Sequence, residues 1–142
     1  MIKTFVLDTN VLIQAPHALL SFEDNTVILP LAVLEELDSL KNADGERGRN
    51  ARQAIRTLET LRLSGDLAQG IELPEGGHLR LEVNHAEVEL PSGMNPHSAD
   101  SRVLKVCKGL TDRGIHVVLV TMDIVVRIKA QMTFSLRKAD TV

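Results

Sequence analysis

Ile2 to Leu7 is almost continuously apolar or β-favouring and stops at Asp8-Thr9-Asn10, a pattern that predicts a buried parallel strand ending in a turn. Thr9 or Asn10 can cap the helix expected from about Val11, which is interrupted or restarted at Pro16. A polar loop, Ser21 to Asn25, leads into a short strand over Thr26 to Leu29, and Pro30 suits a helix entrance. From Leu31 to about Lys41 the apolar residues Val33, Leu37 and Leu40 recur at helical spacing, and Asn42-Ala43-Asp44-Gly45 closes that helix as a turn. The next helix, about Glu46 to Leu63, has Ala51, Ala54, Ile55, Leu58 and Leu61 on one face and Arg49, Arg52 and Arg56 on the other.

The glycine- and proline-rich stretch from Ser64 to Gly77 predicts a long loop with a short β piece at Ile71 to Leu73. Leu79 to Val83 alternates apolar and charged residues, as expected of a strand near a sheet edge. After a loop through Pro91, Gly93 and Pro96, a helix resumes near Ser98 with Val103, Leu104, Cys107 and Leu110 as its buried stripe, ending near Gly114. Five of the six residues from Ile115 to Val120 are apolar and mostly β-branched, which makes this the strongest strand signal of the chain. Thr121-Met122-Asp123 turns it into a last helix, to about Gln131. Strands alternating with helices imply an α/β sandwich around a mainly parallel sheet. One domain over residues 1–131 is expected, followed by a C-terminal tail, 132–142, read as the start of a linker.

Composition narrows what such a domain does. With 142 residues, 44% of them hydrophobic, the chain can bury a sizeable core. The net charge of −3 rules out a broad basic surface, so any nucleic-acid contact must be local. Three phenylalanines are the only aromatics, which argues against readers that stack bases on aromatic platforms. Cys107 has no second cysteine to pair with and reads as a core thiol. No apolar run approaches a membrane span, and a carboxylate follows the start too soon for a signal peptide; a cytoplasmic location is expected.

Asp8 and Asp123 each follow closely on a strong strand, and ligands of parallel sheets collect beyond the carboxyl ends of strands. On the helix after Pro30, Glu36 lies within a turn of Val33 and Leu40 on the inward edge, whereas Glu35 points away. Asp100 prolongs the stripe of Val103 and Leu104 toward its helix N-terminus. Four carboxylates meeting without cations between them would repel one another, and a bound ion would relieve this. Hard oxygen donors favour Mg²⁺ or Mn²⁺, ions that activate water and polarise a phosphodiester. Equally, Asp8 and Asp123 are placed to cap helices, Asp100 to serve a helix N-terminus and Glu36 to be a solvated acid, so spacing alone leaves both readings open.

Val6-Leu7-Asp8-Thr9-Asn10-Val11-Leu12-Ile13 and Ile28-Leu29-Pro30-Leu31-Ala32-Val33-Leu34-Glu35-Glu36-Leu37-Asp38 resemble the opening of PIN-domain ribonucleases. Ser98-Ala99-Asp100-Ser101-Arg102-Val103-Leu104 and the Thr-x-Asp-x-x-x-Arg-x-Lys-Ala run from Thr121 to Ala130 look like the family's third and fourth acidic segments, in order. Leu34 to Lys41 and Arg127 to Ala130 look most like the PIN domain preceding a PhoH-like ATPase domain in bacterial proteins. The resemblance implies a three-layer α/β/α sandwich with a central, mainly parallel sheet. It also implies a divalent-metal-dependent endoribonuclease that hydrolyses single-stranded RNA through metal-activated water. Asp8, Glu36, Asp100 and Asp123 would be the catalytic metal ligands, Asn10 and Thr121 would steady them, and Asp38 would be a weaker addition. Implied partners are single-stranded RNA, a PhoH-like ATPase domain in a longer chain or an inhibitory antitoxin, and a second copy in a homodimer. Two departures stand out: the tail from Met132 does not match the expected continuation, and no Gly-x-x-x-x-Gly-Lys-Ser/Thr loop is present.

Arg49, Arg52 and Arg56 form a stripe for phosphate contact or simply a solvated face. Arg127, one turn after Asp123, is placed to pair with it or to reach substrate. The histidines lack metal-binding spacing, and only His97 is placed near the acids. Two other functions compete: a PIN domain with weak catalysis that binds RNA or dimerises, and a phosphatase-like Mg²⁺ enzyme with Asp8 as nucleophile. The latter usually carries a second Asp two residues on, where this chain has Asn10.

Overall fold

The computed structural model describes residues 2–134 and 140–141. In chain order its elements are β1 (Thr4–Leu7), α1 (Thr9–Gln14), β2 (Thr26–Pro30), α2 (Leu31–Leu40), α3 (Gly45–Leu61), β3 (Ile71–Glu72), β4 (His78–Glu82), α4 (Ala99–Asp112), β5 (Val117–Val120), α5 (Ile124–Thr133) and β6 (Asp140–Thr141). Short 3-10 segments, Pro16–Leu20 and Arg62–Ser64, follow α1 and α3. The sheet order is β3-β4-β2-β1-β5-β6, parallel throughout except for β3 against β4. This is the α/β sandwich with a mainly parallel sheet that the alternating pattern predicts.

The lack of alternation in the strongest strands has a direct cause. All four residues of β5 are buried, as are Val6 and Leu7 of β1 and Val27 to Leu29 of β2, because helices cover both faces of the sheet. Among the helices, α1 and α2 pack on α3, and α4 packs on α5 and α2. Cys107 is fully buried in this core, where burial and the charge of Asp8 push its thiol far above its ordinary value.

Several boundaries differ from expectation for local reasons. The α1 helix starts at Thr9, and its cap is Asp8, whose side chain accepts the Thr9 N–H. Ile115 does not open β5, because Gly114 turns the chain at φ +85° and the Ile115 amide closes the end of α4 on the Leu110 carbonyl. The edge on the β4 side is β3, with β4 one strand inside it. The α5 helix runs past the expected end at Gln131 to Thr133, and Asp140–Thr141 add a strand beside β5. The boundary drawn at 131 therefore falls inside a helix; residues 135–139 and 142 of the tail lie outside the described residues.

Among the described residues, no helix is long and apolar enough to cross a membrane. At the head of α4, Ser98 accepts the Ser101 N–H at 3.3 Å and donates to Asp100. Replacing Ser98 by alanine removes this cap and should cost about 1 kcal/mol, read from urea unfolding at constant m. An unchanged midpoint would show that water replaces the cap.

Candidate metal centre

The chain leaves β1 for β2 on one side, while β5 pairs with β1 on the other. The carboxyl ends of β1 and β5 thus flank the point where strand order reverses, the usual place for a ligand crevice in such sheets. A pocket of about 260 Å³ lies there, and Asp8, Glu36, Asp100 and Asp123 all line it. Four segments far apart in sequence deliver them. Asp8 follows β1, Glu36 sits on the second turn of α2, Asp100 in the first turn of α4, and Asp123 caps α5.

Asp8 is the deepest, 6% exposed. Its Oδ1 accepts the Thr9 amide at 2.9 Å and its Oδ2 the Thr121 hydroxyl at 2.7 Å. Burial raises its pKa above the ordinary carboxylate value; those hydrogen bonds oppose the rise, and the charges of Asp123 and Asp100 add to it. Thr121 is fully buried, and its Oγ1 also accepts the Asp123 amide at 3.1 Å, so a single hydroxyl links the two strand ends. Asn10 accepts the Met122 amide at 3.2 Å and fastens the turn before Asp123 to α1. Thr121 thus holds the acids from beneath the pocket, whereas Asn10 lines it beside them.

Glu36 accepts a hydrogen bond from the Thr9 hydroxyl. Its neighbour Glu35 points outward into an ion pair with Arg102 at 2.7 Å. Asp38 pairs with Lys41 at 2.7 Å and does not line the pocket. Asp100 is the most heavily engaged acid. Its Oδ1 accepts from Ser98 and from the Ser101 amide, and its Oδ2 accepts from Lys129 Nζ at 2.6 Å. Burial works to raise its pKa, but the hydrogen bonds from Lys129 and Ser98 outweigh that and hold it below the ordinary value.

Lys129 corrects one premise of the sequence argument, which took the four acids to meet without a cation: although it does not itself line the pocket, it pairs with Asp100 at the pocket's edge. Its neighbours in α5, Val126 and Ala130, are buried, which identifies the inward face. Arg47, in the first turn of α3, also lines the pocket, although only Arg49, Arg52 and Arg56 of that helix read as a phosphate stripe. None of those three lines it. Arg49 and Arg56 are exposed, and Arg52 turns back to donate to the carbonyls of Lys41 at 2.6 Å and Ala43 at 3.4 Å. Arg127 does not pair with Asp123; its Nη2 donates to the Thr121 carbonyl at 3.0 Å. His97 is exposed and away from the pocket.

All four acidic donors are carboxylate oxygens, and three of them hold no cationic partner among the described residues. The repulsion felt by Asp8 is what a bound cation would relieve. In donor chemistry the residues fit a hard divalent ion such as Mg²⁺ or Mn²⁺. As the side chains stand, no three acids, cysteines or histidines among the described residues close on one point within ligating reach. Each of three acids is held by its own hydrogen-bond partner, Thr9 for Glu36, Thr121 for Asp8 and Lys129 for Asp100. Two of the acids also cap helices, so capping and pocket lining coexist in the same side chains.

Comparison with known proteins agrees with this architecture. The chain is 43% identical over 137 residues to Protein PhoH2 of Bacillus subtilis (strain 168), covering 92% of this chain and 31% of that protein. It is 41% identical over 132 residues to Protein PhoH2 of Mycolicibacterium smegmatis, covering 91% and 30%. It thus spans about three-tenths of the length of these curated relatives. A solved structure, a domain of a functionally unknown protein from Methanocaldococcus jannaschii, superposes with a TM-score of 0.58 at 20% identity, over 99% of this chain and 89% of that one, and shares the fold. The family description of the PIN domain matches residues 5–134, nearly the whole chain, and the protein belongs to the PIN-domain family.

Proposed function

We propose that this domain is a divalent-metal-dependent endoribonuclease acting on single-stranded RNA. The observation that carries this reading is the meeting of Asp8, Glu36, Asp100 and Asp123 in one pocket at the sheet's reversal point. Those four carboxylates would hold the ion, Mg²⁺ or Mn²⁺. When bound, it supplies positive charge against phosphodiester oxygens and lowers the pKa of water.

The chain's own residues do the rest. Thr121 and Thr9 orient Asp8 and Glu36, and Asn10 anchors the turn that presents Asp123. Arg47 brings a guanidinium to the rim, suited to a substrate phosphate on a protein whose net charge is otherwise negative. No side-chain nucleophile is required. The relatives' greater length is consistent with this domain serving as the nuclease part of a longer chain with a PhoH-like ATPase region.

Labelled single-stranded RNA and DNA, incubated with the purified chain and Mn²⁺, Mg²⁺ or EDTA, test the proposal. RNA cleavage should need the metal and fall at least about ten-fold in Asp123→Asn. Metal-independent cleavage would overturn the metal-dependent reading, and no cleavage under any condition alongside intact RNA binding would favour a binding module.

A further inference from the structure

The four carboxylates differ in what already holds them. Asp8, Glu36 and Asp123 accept hydrogen bonds from neutral donors, namely hydroxyls of Thr9 and Thr121 and amides of Thr9 and Val125. Asp100 instead carries a full positive partner. Lys129 reaches it from α5, 29 residues along the chain, and places Nζ 2.6 Å from Oδ2. Because Ser98 and the Ser101 amide occupy Oδ1, Oδ2 is the oxygen Asp100 has to offer, and the ammonium is on it. Both side chains are only partly exposed, 31% for Lys129 and 25% for Asp100.

We propose that Lys129 is a resident cation that a divalent ion must displace from Asp100, so that the pocket takes up metal by exchange rather than by simple addition. The inference rests on the metal-dependent reading above. An ammonium at hydrogen-bond distance from one prospective ligand repels an incoming dication and withholds that ligand's oxygen. The Lys129 side chain is not fully buried, so solvent screens the pair and leaves it weak enough to open when a doubly charged ion competes. Lys129 thereby sets how much free metal the site needs before it fills. In its absence Asp100 is available from the start, and the pocket carries one more unit of negative charge.

Calorimetric titration of Mn²⁺ into the purified chain at fixed ionic strength reads this directly. Lys129→Met should bind Mn²⁺ about ten-fold more tightly than wild type, while Lys129→Arg, which keeps the charge, should stay within about two-fold. Melting curves give a second readout: Mn²⁺ should raise the melting temperature more in the Met variant than in wild type at the same concentration. If Lys129→Met does not melt cooperatively, Lys129→Gln takes its place, since it removes the charge and keeps an amide within reach of Asp100. Equal or weaker Mn²⁺ binding in the uncharged variant overturns the exchange, as does tightening in Lys129→Arg equal to that in Lys129→Met. Absence of Mn²⁺ binding in wild type and all variants, with cooperative melting retained, overturns the metal-dependent reading itself and the exchange with it.

Discussion

Asp8→Asn should abolish metal-dependent RNA cleavage, by at least about a hundred-fold, while leaving the domain at least as stable as wild type at neutral pH. The activity loss follows from position, since Asp8 is the deepest of the four acids and lies between the ends of β1 and β5. The stability result follows from charge. Asparagine caps a helix about as well as aspartate, so α1 keeps its cap. What disappears is a buried negative charge whose folded-state pKa lies above its ordinary 3.8. A carboxyl raised in this way stabilises the fold below its unfolded pKa, and that contribution is lost as pH rises through the folded value. At neutral pH the charge is therefore a net cost, which the Asn variant avoids. Melting in EDTA across acid to neutral pH should show the variant's advantage shrinking as pH falls toward 3.8. Activity within about three-fold of wild type would mean the metal is held elsewhere, and a lower melting temperature at pH 7 would mean that the Thr121 hydrogen bond outweighs burial.

Gly48→Ala should destabilise the protein by about 2 kcal/mol or more, against what helix propensity says. In a solvent-facing helix the exchange would favour alanine by about 1 kcal/mol. At Gly48, however, an added Cβ would sit 1.8 Å from the Ala43 carbonyl oxygen and 2.7 Å from its carbon, with Arg52 Nη1 at 3.0 Å. The obstacle is backbone of the turn between α2 and α3, already clasped by Arg52 through the carbonyls of Lys41 and Ala43. That turn must shift, and the first turn of α3, which brings Arg47 to the pocket, shifts with it. Urea and thermal unfolding would both register the loss. A melting temperature equal to or above wild type would show that the turn yields freely.

How far the sequence exposes such details depends on whether chemistry follows from one segment or from the meeting of two. The strands carrying Asp8 and Asp123 are legible because burial on both faces leaves unbroken apolar runs, and the acid follows where each run stops. Glu36 and Glu35 are distinguishable because 100° of helical rotation separates an inward edge from a solvent face. Arg52 is misplaced by the same logic. Periodicity assigns it to the polar face, but a long side chain folds back to satisfy loop carbonyls that no local pattern reveals. Lys129 meets Asp100 only because α5 packs on α4, and the angle of that contact is not written in either helix. Gly48 shows the same limit, because the turn pressed against it comes from outside its own helix.

The hydrogen bond from Thr121 to Asp8 spans 113 residues, and β1 pairs with β5 across the same interval. A chain emerging from the ribosome exposes Asp8 and Glu36 long before β5 and α5 exist to complete the pocket. Loop closure over that distance comes late in folding because its entropy must be met before the contacts it permits can form. On the proposed reading, cleavage would be withheld until synthesis of nearly the whole domain is finished, since a prematurely terminated product lacking Asp123 would not hold the full set of four acids.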